Sequence, residues 1–269
     1  MKRIHYYSHR GRGKHLISFV HHLSTNLLLP LIALVAIGFA TTGAFFFYDT
    51  YAQQGLLLVG ALLSSTLRLL IAYVLSLAVG VPLAIFAVKN RRVESILLPI
   101  YDVLESMPVL AFFPVIILFF VASGFLEGAA IFILFFSIIW NVVFNVIGGM
   151  KTIPHDVLAV GNVFGLTWFQ RFRKVTLPAL FPSIVTASIL SIAEGWNLVI
   201  VAEALHAYVP RGANAEDLFG IGSILVDAAA SGNTQLLIAA TSVLVVAIVL
   251  INIFVWQPLL ARSARYKFD

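Results

Sequence analysis

The sequence predicts an all-α membrane protein with about six transmembrane helices, and three observations carry that prediction. Of the 269 residues, 61% are hydrophobic and only 11% charged, against roughly 25% charged in soluble domains. The apolar residues are gathered into runs long enough to cross a bilayer, which takes about 20 residues rising 1.5 Å each. Lys and Arg fall in the short segments between those runs. The net charge of +5 therefore reads as membrane-flanking charge and not as a nucleic-acid surface. There is no cysteine, which excludes disulfides, thiolate metal sites and a cysteine nucleophile.

In chain order, residues 1–26 form a basic tail with Lys2, Arg3, Arg10, Arg12 and Lys14, followed by a first transmembrane helix within 27–50. Its apolar run, Leu27–Phe47, exceeds the roughly 7–15 residues of a signal-peptide core and is read as an uncleaved span. Five further spans follow at about Gly55–Val88, Ile96–Phe120, Leu126–Met150, Ala179–Leu205 and Gln235–Trp256. Turn signals separate them at Asn90-Arg91-Arg92, Ser123-Gly124, Ile153-Pro154-His155 and Ser231-Gly232-Asn233. Residues 51–260 form the core, 151–178 a cytoplasmic loop within it, and 261–269 a C-terminal tail.

Loop charge gives the orientation, because basic residues resist translocation. With the N-terminus inside, the cytoplasmic segments collect every Lys and Arg except Arg68, which lies within a span, and Arg211, which lies in the loop after the fifth. Both termini are then cytoplasmic.

Ionisable and hydrogen-bonding residues at membrane depth are the candidates for a path through the bilayer. Arg68 lies roughly 30 Å of helix before Lys89, toward the outer leaflet; it supplies positive potential to an anion, pairs with Glu194, or snorkels outward. Glu194 is deep in the fifth span and Glu203 near its outer end. Trp196 and Asn197 offer N–H donors suited to an oxyanion, and equally suit packing between helices. Asn141 and Asn145, four apart, share a helix face, either lining a path or pairing helices. No nucleophile, metal set or phosphate loop accompanies the carboxylates Asp102 and Glu105, and His155 and His206 are isolated, so catalysis is not expected.

The stretch HDVLAVGNVFGLTWFQRFRKVTLP reads as two short amphipathic helices around Gly165. Trp168, Phe172 and Val175 recur on one face, flanked by Arg171 and Lys174. Such a helix fits a partner's groove or a lipid headgroup layer, and its pattern favours neither.

Gly165, then nine residues, Val175, one residue and Leu177-Pro178 resembles the coupling loop of permease subunits of binding-protein-dependent ABC importers. Where that family carries Glu-Ala-Ala, this chain has Ala159, Val160 and Gly161. The stretches TLRLLIAYVLSLAVGVPLAIFAV, LLPIYDVLESMPVLAFFPV, FNVIGGMKTIP, EGWNLVIVAEAL, GIGS and WQPLLARSARYKF are similar, in that order, to the branch importing nitrate, sulfonate, taurine or bicarbonate.

This resemblance implies the type I ABC importer permease fold, a bacterial-type inner-membrane location and a small anionic cargo. It implies four kinds of partner: separate ABC ATPase subunits, a second permease subunit, an extracytoplasmic substrate-binding protein, and lipid. It implies no cofactor in this chain, ATP and Mg being held by the ATPase partner. The sequence has no Gly-x-x-x-x-Gly-Lys-Ser/Thr loop to cradle phosphates. By the same resemblance the ATPase contact falls on Ala159, Gly161, Gly165, Trp168, Phe172, Val175, Leu177 and Pro178. A permease for amino acids or osmoprotectants, a secondary transporter or channel, and a membrane scaffold are the alternatives.

Overall fold

Some prolines of this chain stand where a long apolar run breaks or widens, while Pro82, Pro99 and Pro182 lie inside continuous helices. The computed structural model describes residues 52–204 and 218–266, with only Leu34, Ile37, Gly38 and Thr41 before them. The basic tail, the rest of the first predicted span, and the expectations for His206, Arg211 and Lys267 lie outside the described residues. Among the described residues all regular structure is helical.

Helix α1 (Ala52–Lys89) extends the predicted second span by a residue or a few at each end. Asn90 ends it and caps the next helix, α2 (Arg91–Ser106), its side chain accepting from the Arg92 N–H at 3.2 Å. The expectation of one continuous third span over Ile96–Phe120 is corrected here. Met107, just before Pro108, is extended at φ −79° and ψ 128°, as the steric demand of the proline ring requires. A 3-10 turn (Val109–Phe112) and a short helix α3 (Phe113–Ala122) follow. Pro114 sits in the first turn of α3, where no N–H is missed.

Helix α4 (Leu126–Thr152) agrees with the predicted fourth span and is the most buried of the long helices. It packs against α1 on one side and α7 on the other. Helix α5 (His155–Val163) is the first of the two expected amphipathic pieces. The second is not a separate helix, which corrects the expectation. Helix α6 (Trp168–Arg171) runs through a π-helical turn (Phe172–Thr176) directly into α7 (Leu177–Glu203).

The π-turn has an identifiable cause. Pro178 has no N–H and its ring would meet the carbonyl four residues back; a turn widened by one residue avoids that contact, and the Leu177 N–H bonds Phe172 O instead. The same device recurs at the other end of the chain. Helix α8 (Ile221–Ala230) is followed by α9 (Thr234–Ile251), a second π-turn (Asn252–Trp256), α10 (Gln257–Ser263) and a 3-10 turn ending at Tyr266. Pro258 stands to this π-turn as Pro178 stands to the first, and the Gln257 N–H bonds Asn252 O. The ring of Tyr266 meets that of Phe181 at 5.6 Å between centroids, which joins the two proline-widened segments.

Four helical runs among the described residues are long and apolar enough to cross a membrane: Gln54–Lys89, Leu126–Thr152, Trp168–Glu203 and Thr234–Tyr266. Helices α1 and α4 run parallel and α7 antiparallel to them, since Arg68, Glu127 and Glu203 meet at one end while Lys89, Lys151 and Trp168 lie at the other. The core between them is aliphatic, with Leu58, Leu69, Ile133, Leu134, Ile138, Val142 and Leu180 fully or almost fully buried.

Candidate functional site

Two polar constructions stand at opposite ends of this bundle, and a partly open polar face lies between them. At one end, Arg68 of α1 is almost wholly buried and every nitrogen of its guanidinium donates. Nε and Nη2 fork onto the two oxygens of Glu127, in the first turn of α4, at 2.5 and 2.8 Å. Nη1 donates to Glu203, the last residue of α7, at 2.6 Å, and Nη2 also reaches the Phe219 carbonyl at 3.0 Å. The second oxygen of Glu203 accepts from Ser65 Oγ at 2.9 Å and from the Gly222 N–H at 2.8 Å. The Ile221 N–H donates to Ser65 Oγ at 2.9 Å. Ser65 and Glu203 thus serve the unsatisfied N–H groups and the positive dipole end of α8.

The motif Gly220-Ile221-Gly222 fits this arrangement because a side chain would not. A Cβ on Gly220 would lie 2.1 Å from the Glu203 carboxylate, and one on Gly222 would lie 2.6 Å from the Cα of Ile200.

Arg68 does not pair with Glu194, the partner weighed for it in the sequence. Its partners are Glu127 and Glu203, and Glu203 is fully buried although it is the last residue of its helix. The guanidinium charge of Arg68 is thus committed to two carboxylates. Glu127 and Ser65 were not singled out in the sequence, and Gly222 only as part of the GIGS stretch. Counting back from the basic ends gives the missing signal: Arg68 and Glu127 lie at nearly equal depth, roughly 30 and 36 Å from Lys89 and Lys151.

Between the two ends, Glu194 accepts from Ser137 Oγ at 3.2 Å. Trp196 is buried in the core, and Asn197 is exposed with Nδ2 donating to the Ala193 carbonyl at 3.1 Å. Asn145 Nδ2 donates to the Asn141 carbonyl at 2.8 Å, and both residues are half-buried. Nearer the basic end, Asn145, Gly148, Thr152, Ser183 and Thr186 line an open cavity of about 340 Å³ between α4 and α7. The expected path residues are therefore divided: Asn141, Asn145, Glu194 and Asn197 reach a partly open surface, while Trp196 and Arg68 are buried.

At the basic end, Gly165 has φ +59°, the left-handed conformation that closes a helix. The Leu166 N–H reaches back to the Gly161 carbonyl at 3.0 Å and ends α5. Thr167 then opens α6 with a capping box, in which its hydroxyl and the Gln170 side chain each serve the other's backbone N–H. Trp168 stacks on Phe172 at 6.2 Å and lies under Lys89, whose Nζ is 5.5 Å from the ring centroid. Lys151 pairs with Glu94.

Val163, Phe164, Trp168 and Phe169 are between 59% and 81% exposed, which gathers four large apolar side chains around the Gly165 turn. Ala159 and Leu177 are also exposed, Val175 and Pro178 half-buried, and Gly161 packs against the Arg171 side chain.

A family model described as binding-protein-dependent transport system inner membrane component matches residues 72–265, which takes in α4 and α7, the Gly165 turn and the Glu203–Gly222 contact. The chain belongs to this family. Among relatives of this inner membrane component, the nitrate import permease protein NrtB of Leptolyngbya laminosa is 31% identical over 195 residues, covering 72% of this chain and 64% of its own length. The bicarbonate transport system permease protein CmpB of Synechococcus elongatus is 26% identical, covering 62% of this chain and 55% of its own length. A putative aliphatic sulfonates transport permease protein, SsuC of Bacillus subtilis, is 29% identical, with coverage of 64% and 57%. The match thus spans between half and two thirds of the length of these curated relatives. The fold is similar to that of an inward-facing MetNI methionine ABC transporter chain, with a TM-score of 0.66 at 19% identity, covering 80% of this chain and 99% of the other.

Proposed function

We propose that this chain is the permease subunit of an ATP-driven ABC importer for a small anion of the nitrate, bicarbonate or sulfonate class. The observation that carries the reading is the rigidly capped apolar tip at Val163, Phe164, Trp168 and Phe169, in a member of a binding-protein-dependent transport family. An exposed apolar cluster of this kind is uncommon on a surface facing water unless a partner covers it. On this reading the basic end faces the cytoplasm, in keeping with retention of Lys and Arg there, and both termini lie on that side. The tip sits in a groove of an ATPase subunit that binds ATP and Mg.

A second permease subunit faces the partly open side of α4 and α7, so that Asn141, Asn145, Glu194 and Asn197 border the path. An extracytoplasmic binding protein delivers cargo at the Arg68 end, and lipid covers the remaining apolar faces. The cargo assignment follows the named relatives, which are permeases for nitrate, bicarbonate and sulfonates.

Purification of the chain from its native membrane in mild detergent tests the assembly. An ATPase subunit is expected to co-purify in fixed ratio, and to be lost when Phe164 and Phe169 are both replaced by Ser. Purification without any ATPase, combined with ATP-independent uptake in vesicles, would contradict the reading.

A further inference from the structure

The cluster around Arg68 is built unequally. On one side Glu203 has no exposed side-chain surface and accepts from Arg68, Ser65 and the Gly222 N–H. On the other side Glu127 is 49% exposed, and the contacts found for its carboxylate are those to Arg68. Separating Arg68 from Glu203 would strand a buried charge, which is costly. Releasing Glu127 leaves a carboxylate that water can solvate, while Arg68 keeps Glu203 on Nη1 and the Phe219 carbonyl on Nη2 and only Nε loses its acceptor, a smaller cost than stranding Glu203. Arg68 also holds the carbonyl of Phe219, at the start of α8, and the Leu218 N–H returns to the Glu203 carbonyl at 3.2 Å. The start of α8, the end of α7 and the middle of α1 are therefore tied together by charge and hydrogen bonds, and the Glu127 arm is the ionic contact that ties α4 to them, beside the apolar packing of α4 on α1 and α7 and the Ser137–Glu194 hydrogen bond.

Helix α4 is a continuous 27-residue element whose other end bears Lys151, paired with Glu94 at the basic end. One continuous helix therefore joins the Arg68 cluster to the end of the molecule where the apolar tip lies.

We propose that Arg68 is a positioning residue of the transport cycle, acting as a latch with a permanent arm on Glu203 and α8 and a releasable arm on Glu127. A push on the start of α8, where Phe219 is half exposed, opens the Glu127 arm and removes the ionic restraint on a shift of α4 against α1 and α7. The inference rests on the importer reading, in which the extracytoplasmic binding protein supplies that push.

The test uses the complete importer, with ATPase subunits and binding protein, in vesicles. ATP hydrolysis is measured with and without cargo-loaded binding protein, alongside cargo taken up per ATP. Glu127→Gln weakens the releasable arm, and a tenfold shift toward the released state corresponds to about 1.4 kcal/mol. The expected result is a rise in basal hydrolysis of roughly that factor, so that the stimulated-to-basal ratio falls toward one and uptake per ATP drops. Arg68→Lys keeps the charge but cannot fork onto Glu127, and is expected to behave like Glu127→Gln.

Glu127→Asp serves as the second variant should Glu127→Gln fail to assemble. It retains the charge on a shorter arm, and an intermediate ratio is expected. An assembled Glu127→Gln importer with the wild-type ratio and wild-type uptake per ATP overturns the latch, even if its thermal stability is lower, because a purely structural clamp predicts that outcome. A wild-type complex that shows no stimulation by binding protein overturns the importer reading and the latch with it.

Discussion

The carboxylate of Glu203 accepts the backbone N–H of Gly222 at 2.8 Å, so the last residue of α7 caps the first turn of α8. The contact is possible because Gly222 has no side chain: a Cβ there would lie 2.6 Å from the Cα of Ile200 and 2.7 Å from the Val199 carbonyl. Both are backbone atoms and cannot rotate away. Gly222→Ala is expected to cost about 1–3 kcal/mol, the usual penalty for overpacking, read as a lowered thermal midpoint in detergent. A midpoint equal to wild type would show that α7 and α8 are not in this contact.

The two acids of the Arg68 cluster should differ in their effect on stability. Glu203→Ala removes the partner of a buried guanidinium arm and leaves the Ser65 and Gly222 donors without their carboxylate, at a cost of about 3 kcal/mol or more. Glu127→Ala removes a half-exposed partner and is expected to cost markedly less, since water reaches that side. Denaturant or thermal titration of the two variants side by side checks the order, and equal losses would contradict the asymmetry.

Gly165 is a conformational requirement without a packing one. Its φ is +59°, and a Cβ there would meet nothing within 4 Å. Gly165→Val therefore strains the backbone, by about 1–2 kcal/mol, without a clash. Membrane insertion and thermal stability should survive, while the apolar tip loses its geometry. Uptake per ATP is expected to fall, and unchanged uptake would remove the tip from the coupling account.

Lys89 over Trp168 links the end of α1 to the start of α6. Lys89→Ala should lose about 0.5–1 kcal/mol of cation–π attraction, with Lys89→Arg retaining it. Acrylamide quenching of a variant in which Trp168 is the one remaining tryptophan reports the contact. Quenching should rise for Ala and not for Arg.

Asn197 is exposed on α7, within a run long and apolar enough to cross a membrane, and its Nδ2 donates to its own helix. Asn197→Leu is expected to lower uptake several-fold while leaving ATPase association intact, as measured by co-purification. Full uptake by this variant would remove Asn197 from the path.

Length and hydrophobicity made the long spans legible: the runs read at Gly55–Val88 and Leu126–Met150 fall inside α1 and α4. The third run failed as a single span because its composition is apolar on both sides of Met107-Pro108, and only the proline marks the break. Leu177-Pro178 was read as a boundary between loop and span, yet the π-turn at Phe172–Thr176 carries the helix through it. Helix α8, ten residues long, was too short to register as an element. Gly165 was legible as the break between two short helices, but the Thr167–Gln170 capping box that opens the second came only with the structure. The partners of Arg68 were not visible, because Glu127 and Glu203 are distant in sequence and only a comparison of depths along three helices brings them together.

The central claim is that this chain forms a path opened by a separate ATPase. It is tested most directly by reconstituting the chain with its ATPase subunits in vesicles and following uptake of labelled nitrate, bicarbonate or an alkyl sulfonate supplied with the binding protein. The account predicts uptake of one of these anions that requires both ATP on the basic-end side and binding protein on the other. Uptake that proceeds at full rate without ATP would contradict it.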